Sequence, residues 1–108
     1  MDYEIQFFAV SVEVSITKWP SGIFASFVRI TEQMVLSGPN LGMPYTKAMG
    51  DGLFEIRARG VEGIGRAFFC CMKGRRVVIL HGFVKKTQAT PIKDLRLAKQ
   101  RMKEVLND

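Results

Sequence analysis

The chain has 108 residues, of which 47% are apolar, and a formal net charge of +6. This length and apolar content predict one globular domain over residues 1–108, with a core that needs neither disulfides nor a structural metal. No apolar run approaches the roughly 18 residues of a membrane span, and the N-terminus lacks the positive charge of a signal peptide. The composition therefore argues against a membrane protein and predicts a cytoplasmic one.

The positive charge is concentrated in one part of the chain. Residues 57–103 contain thirteen of the sixteen Lys and Arg residues, against only Glu62 and Asp94. Residues 1–56 carry a net charge of −3 instead. Such an asymmetry is typical of a surface that binds a polyanion such as a nucleic acid.

The N-terminal third contains one clear helix signal. Residues 3–14 alternate weakly and are compatible with a strand or with the start of a helix. From Ile23 the apolar residues recur every three or four positions, which predicts an amphipathic helix that ends at residues 37–40 (SGPN). A loop is then predicted as far as Asp51 and Gly52.

Three short runs rich in β-branched and aromatic residues follow, at Leu53 to Arg59, Ile64 to Met72 and Val77 to Val84. The linkers between them are so short that only antiparallel hairpins can form, which predicts a three-strand meander. Cys70 and Cys71 are adjacent within the middle run. We interpret them as core strand residues, because neighbours on a strand point to opposite faces and rarely form a disulfide.

The C-terminal segment predicts a basic amphipathic helix, with Thr90 as the N-cap and Pro91 as the first helical residue. Its apolar stripe is Leu95, Ala98, Met102 and Val105, and its basic face is Lys93, Arg96, Lys99, Arg101 and Lys103. The elements together predict an α+β fold. An antiparallel sheet is packed by one or more N-terminal helices and by a C-terminal helix, with residues 3–14 as a further strand or as a helix.

The hairpin register predicts a cluster of positive charge on the sheet. If the first turn is centred between Val61 and Glu62, Arg57 lies directly opposite Arg66. Two like charges in these positions destabilise a sheet unless a further group neutralises them. A bound anion is the natural neutralising group.

The second hairpin adds lysines to this cluster. The position of its turn leaves two registers open, in which Arg66 pairs with His81 or with Phe83. In both registers, the end of the third strand brings Lys85 and Lys86 back past the arginines.

Such a cluster suits the cleavage of RNA. Arginine binds phosphate oxygens through a planar, permanently charged group, and neighbouring cations lower the pKa of a lysine toward the range of proton transfer. Because the 2′-hydroxyl of RNA can be the nucleophile, neither a metal nor a cofactor is required. The structural alternatives are that Arg57 and Arg66 are ordinary outward-facing strand residues, that His81 is a sheet histidine, and that the basic helix face is a solvated surface.

Several motifs resemble, in order and spacing, the phage-derived, HigB-like branch of the RelE toxin superfamily. The motifs are residues 19–20 (WP), 38–44 (GPNLGMP), 52–57 (GLFEIR), 65–69 (GRAFF), 80–87 (LHGFVKKT) and 90–91 (TP). The resemblance covers residues 19–105. It implies a RelE-like antiparallel sheet flanked by helices, and a type II toxin that cleaves mRNA in the decoding site of the ribosome.

The resemblance also implies partners and residue roles. A cognate helix-turn-helix antitoxin is expected to hold the toxin inactive and to repress the shared operon. By position in the motifs, Arg57 and Arg66 are implied to stabilise charge, Lys86 to transfer a proton and Lys85 to contact phosphate. The chain departs from the pattern at Glu55, where some relatives have a second basic residue, and in residues 87–91, which lack a tyrosine.

The sequence leaves more than one function open. The leading prediction is a toxin that acts as a metal-independent, ribosome-dependent endoribonuclease, with Arg57, Arg66 and Lys86 as catalytic residues. The further RNA contacts are predicted to be Lys85, Arg59, His81 and Lys93. The alternatives are a non-catalytic RNA- or ribosome-binding module, an inactive family member, and a phage structural component. The expected partners are an antitoxin and ribosome-bound mRNA, without a cofactor or a membrane.

Overall fold

The structure, a computed structural model, describes residues 2–85 and 91–107. In these ranges the elements are β1 (Glu4–Phe7), α1 (Val10–Thr17), α2 (Ser21–Ser37), β2 (Thr46–Gly50), β3 (Leu53–Gly60), β4 (Gly63–Met72), β5 (Arg76–Lys85) and α3 (Ile92–Leu106). The described strands form one five-stranded sheet in the order β1-β5-β4-β3-β2. Strand β1 runs parallel to β5, and the other neighbours are antiparallel. The predicted α+β class is confirmed.

The N-terminal region contains both of the structures that its sequence left open. Its first residues form the edge strand β1, and α1 begins at Val10. Helix α2 begins at Ser21, slightly before the predicted start at Ile23, and ends at Ser37 as predicted. Gly38 ends it with a φ of 95°, in the left-handed region that favours glycine, and donates its N–H to Met34 O at 2.9 Å.

The prediction of a loop as far as Asp51 and Gly52 is wrong, because residues Thr46–Gly50 form β2. Only Thr46 is buried in this segment, so the alternation of apolar and polar residues that marks a strand is missing. The strand is instead defined by backbone pairing with β3, beginning at Thr46↔Ile56. Its structure thus depends on a partner strand and not on its own residue pattern.

The predicted meander of β3, β4 and β5 is confirmed. Arg57 lies opposite Arg66, which is the predicted pairing. In the second hairpin Arg66 lies opposite Phe83, one of the two registers that the sequence left open. The register of this hairpin shifts by one residue at Leu80, which forms a β-bulge.

Helices α1 and α2 cover one face of the sheet, and α3 covers part of the other. On the α1/α2 face, Trp19 packs so closely that a Cβ added at Gly65 would lie 2.6 Å from its ring. On the α3 face, the predicted apolar stripe of the helix packs against a second group of buried residues, so the stripe is confirmed. The stripe consists of Leu95, Ala98, Met102 and Val105.

The cysteines lie where the strand pattern predicts. Cys70 is buried on the α3 face, and Cys71 packs on the α1/α2 face. Both are free thiols. Burial, with a smaller contribution from Cys71, raises the pKa of Cys70 to about 11, and burial also raises the pKa of Cys71. Neither thiol is primed to react as a thiolate at neutral pH.

Two expectations about α3 need correction, and a third lies outside the described residues. Pro91 is the N-cap and not the first helical residue, and its carbonyl accepts from Leu95 N at 3.1 Å. Arg101 is not on the solvated face: its Nη1 donates to the bulge carbonyl Leu80 O at 2.7 Å. Thr90, the predicted N-cap, lies outside the described residues. No described helix has the length and apolar character needed to cross a membrane.

Candidate active site

Basic side chains from four neighbouring strands meet on the α3 face of the sheet. Arg57 of β3 and Arg66 of β4 are direct cross-strand partners. Lys85 of β5 lies within electrostatic reach of both arginines and of Lys47 on β2. We call Lys47, Arg57, Arg66 and Lys85 the cationic cluster. Three of these residues were predicted from the sequence to belong to the site. The fourth, Lys47, lies in a segment that was predicted to be a loop.

The two arginines approach each other closely. The Arg57 N–H donates to Tyr45 O at 2.8 Å, so the backbone polar groups of Arg57 point away from β4. Arg57 and Arg66 are therefore a non-hydrogen-bonded antiparallel pair, the type in which facing residues lie closest together. Arg66 is 6% exposed, whereas the Arg57 side chain is 21% exposed. The inner guanidinium is fixed in the sheet and the outer one reaches solvent.

A buried carboxylate holds the arginines in place. Glu55 is 0% exposed, and its Oε2 lies 3.3 Å from Arg66 Nη1. Its Oε1 lies 4.0 Å from Arg57 Nε. Glu55 is therefore a neutralising group that the protein itself provides, where the sequence suggested only a bound anion. Since one carboxylate faces the four cations of the cluster, the surface keeps a net positive charge.

The cluster changes the acidity of Lys85. Partial desolvation is the main cause that lowers the pKa of Lys85, followed by the charge on Arg66. Arg57 and Lys47 also lower this pKa, while Glu55 raises it. A lysine of this kind is closer to the range in which it can transfer protons. Lys86, to which the resemblance assigned proton transfer, lies outside the described residues.

His81 occupies a different part of the same face. Its Nε2 lies 2.5 Å from Asp94 Oδ1 on α3, and its ring stacks on Phe83 at 5.9 Å between centroids. This contact connects β5 to the first turn of α3, which is the role of a structural histidine. The two other predicted RNA contacts, Arg59 at the end of β3 and Lys93 on α3, are exposed.

A groove lies next to the cationic cluster, between α2 and the end of β3. Its volume is about 670 Å³, and we call it the Arg57 groove because Arg57 belongs to both its lining and the cluster. The residues that line it are Ser26, Arg29, Ile30, Gln33, Leu41, Met43, Pro44, Tyr45, Arg57, Arg59 and Ile64. The groove and the cationic cluster therefore share Arg57.

The role of Glu55 in the cationic cluster was not predicted, although the sequence contains a signal for its position. Every second position at the end of β3 is charged, at Glu55, Arg57 and Arg59. Alternate residues of a strand share one face, so these three side chains are expected on the same side of the sheet. Lys47 belongs to the cluster because β2 pairs with β3. The sequence of β2 lacks the alternation of apolar and polar residues that would have predicted a strand there.

Among residues 2–85 and 91–107, the His, Cys, Asp and Glu side chains form no group of three or more that could hold a metal ion. The groups that converge on the cationic cluster are instead guanidinium and ammonium donors. They suit the binding of phosphate oxygens and the stabilisation of negative charge that develops during a reaction.

The residues of this site lie within a segment that matches a known family. Residues 15–103 match the model of the phage-derived protein Gp49-like family (DUF891). The chain belongs to this family. The Gp49-like proteins are a RelE-like, toxin-like family of toxin–antitoxin systems, and the five-stranded sheet of the described residues with its flanking helices is compatible with a RelE-like fold. No curated protein matches the chain.

Proposed function

We propose that this Gp49-like protein is the toxin of a type II toxin–antitoxin pair, of the HigB-like branch, and that it cleaves ribosome-bound mRNA without a metal or cofactor. The observation that carries the proposal is the cationic cluster, in which Glu55 holds Arg66 beside Arg57 and Lys85 has a lowered pKa. The cluster provides phosphate binding, charge stabilisation and proton transfer on one surface.

The proposed reaction is a transesterification within the RNA. The 2′-hydroxyl oxygen forms a bond to the adjacent phosphorus, the bond from phosphorus to the 5′ oxygen breaks, and a 2′,3′-cyclic phosphate and a 5′-hydroxyl result. Arg57 and Arg66 bind the non-bridging oxygens and stabilise their developing charge. The Lys85 ammonium gives a proton to the departing 5′ oxygen, and the neutral amine form of Lys86 accepts the proton of the 2′-hydroxyl.

The proposal also includes partners and a compartment. The expected partner is a cognate helix-turn-helix antitoxin that covers the cationic cluster and keeps the toxin inactive. Such an antitoxin needs acidic side chains that replace the phosphates of the RNA. Since the substrate is mRNA on the ribosome, the protein acts in the cytoplasm.

The test is induction of the full chain in a bacterial host, followed by growth measurement and by mapping of mRNA 5′ ends. The wild type is compared with Arg57→Ala and Arg66→Ala, and with Lys73→Ala as a control at an exposed position in a distant turn. Growth arrest with new mRNA ends, lost in both arginine variants and kept in Lys73→Ala, is the expected result. Arg66→Ala removes the guanidinium that pairs with the buried Glu55 carboxylate and can therefore destabilise the protein. Circular dichroism is used to show that this variant folds.

A non-catalytic RNA- or ribosome-binding module is the second candidate, and the exposed basic face of α3 favours it. Lys93, Arg96, Lys99 and Lys103 are all exposed, and they are suited to phosphate contacts that carry no sequence information. Growth arrest without new mRNA ends, in cells where the protein co-sediments with ribosomes, would support this function. Normal growth with folded protein would indicate an inactive family member.

A further inference from the structure

The Arg57 groove has two walls of different origin. One wall is the α2 face that carries Ser26, Arg29 and Gln33, and the other is the segment from Leu41 to Tyr45. Hydrogen bonds hold the second wall in shape. Gly42 O accepts from Tyr45 N and from Thr46 N, both at 3.0 Å, and Gly42 N donates to Thr46 Oγ1 at 2.8 Å. Because Thr46 is also anchored by pairing to β3, the backbone of this wall is fixed to the sheet.

The charged residues that line the groove are all positive. The described lining residues include Arg29, Arg57 and Arg59 and no Asp or Glu. The arginines come from two elements, since Arg29 lies on the α2 wall and the other two lie on β3. A ligand that enters the groove therefore meets guanidinium groups from both elements, which favours a phosphate over a neutral molecule.

The rim of the groove is apolar and exposed. Tyr45 is 52% exposed and Met43 is 59% exposed, although both are large side chains. Arg57 Nη1 lies 3.9 Å from Met43 Sδ, so this rim touches the arginine that faces Arg66. An exposed aromatic ring beside arginines is a site on which an unstacked nucleic-acid base can stack.

We infer that the Arg57 groove binds one unstacked nucleotide of a single-stranded RNA, next to the phosphate held by the cationic cluster. The base stacks on Tyr45, and Arg29 and Arg59 bind the phosphate of that nucleotide. The volume of about 670 Å³ is within the range of small-ligand sites and fits a single nucleotide. The inference rests on the proposed function, because it extends the RNA path away from the proposed cleavage point.

The test is the binding of a fluorescein-labelled RNA hexamer to the full chain, measured by fluorescence polarisation at several salt concentrations. The hexamer is fully 2′-O-methylated, so that it cannot be cleaved. Tyr45→Leu is expected to weaken binding by about tenfold, because a stacking contact is lost, with no change in the salt dependence. Tyr45→Phe keeps the ring and is expected to bind as the wild type does.

Arg29→Ala is expected to weaken binding and to reduce the slope of log K against log salt by about 0.7, the contribution of one phosphate contact on a single strand. Lys73→Ala removes one charge at an exposed position far from the groove, and it is expected to leave both quantities unchanged. If Lys73→Ala lost as much affinity for the hexamer as Arg29→Ala, binding would depend only on the overall charge of the protein. This result would overturn the inference.

Two other results would also overturn it. One is unchanged binding in Tyr45→Leu. The other is a labelled oligoglutamate peptide that binds as tightly as the hexamer, which would make the groove a site for an acidic protein segment.

The result of this test can be separated from the result for the proposed function. If the hexamer binds with the expected dependence on Tyr45 while mRNA cleavage dependent on Arg66 is missing, the groove inference stands and the endoribonuclease proposal fails.

Discussion

The two faces of the sheet are built by the same strands, and both bury apolar residues, but only the α3 face also carries a cluster of charge. Along β3, Phe54, Ile56 and Ala58 point to the apolar layer beneath α1 and α2. Glu55 and Arg57 alternate with them and point to the α3 face, where the cationic cluster lies. A single strand thus provides core packing with one set of side chains and a charged surface with the other.

The difference shows how the protein tolerates concentrated charge. On the apolar face, buried side chains of β3 and β4 pack beneath α1 and α2, and the two strands pair in register along their length. On the other face, Glu55 offsets part of the repulsion between Arg57 and Arg66. The core therefore maintains a cluster of like charges that the charged face alone would not stabilise.

The largest expected effect comes from the carboxylate on the charged face. Glu55→Gln removes the carboxylate charge 3.3 Å from the almost buried Arg66, and we expect the free energy of unfolding to fall by about 3–5 kcal/mol. Urea denaturation measures this change. Glu32→Gln, at an exposed position on α2, is the matched control and should change stability little. Equal stability of the two variants would show that Glu55 does not stabilise the cluster.

The next largest loss of stability is expected at Ile56, which follows Glu55 on β3 and points to the apolar face. Ile56 is 0% exposed, and Ile56→Ala should lower the free energy of unfolding by about 2–5 kcal/mol through lost burial and a cavity. At a temperature where the variant is still folded, its RNA cleavage per folded molecule should match that of the wild type. A large loss of that activity would mean that the two faces are not independent.

Arg57→Ala should produce the reverse pattern. The Arg57 side chain is partly exposed, so we expect the free energy of unfolding to change by less than about 1 kcal/mol. Cleavage of mRNA should fall by about a hundredfold, the usual loss for one group that stabilises developing charge. The measurement is the rate of cleavage on purified ribosomes. A cleavage rate within a few-fold of the wild type would remove Arg57 from the proposed mechanism.

The smallest effect is a pH dependence of stability from Lys85. The pKa of Lys85 is lowered in the folded protein by desolvation and by Arg66, so the unfolded chain binds more protons between the lowered and the ordinary pKa. Lys85 therefore destabilises the fold at neutral pH, and this destabilisation is relieved as the pH rises toward the ordinary lysine range. Urea midpoints should show Lys85→Gln more stable than the wild type at neutral pH, with the gap closing as pH rises.

Lys73→Gln should show no such trend, because Lys73 is exposed in the turn between β4 and β5. If both variants gave the same pH dependence, the trend would come from overall charge and not from the surroundings of Lys85.

The local pattern of the sequence determined α2, the central meander and the Arg57–Arg66 pairing. Each follows from short-range rules, namely the period of apolar residues and a turn too short for more than one topology. The alternation of strand residues also determined that Cys70 and Cys71 face opposite layers. These features required no knowledge of distant parts of the chain.

Only the tertiary structure decided how the site is completed. Strand β2 has no pattern of its own and exists through pairing with β3, yet it brings Lys47 to the cluster and anchors the wall that carries Tyr45. The carbonyl of Leu80, at the bulge in β5, accepts from Arg101 only because α3 docks on this face. Contacts between residues far apart in sequence follow from how whole layers pack, so short-range periodicity and turn length do not encode them.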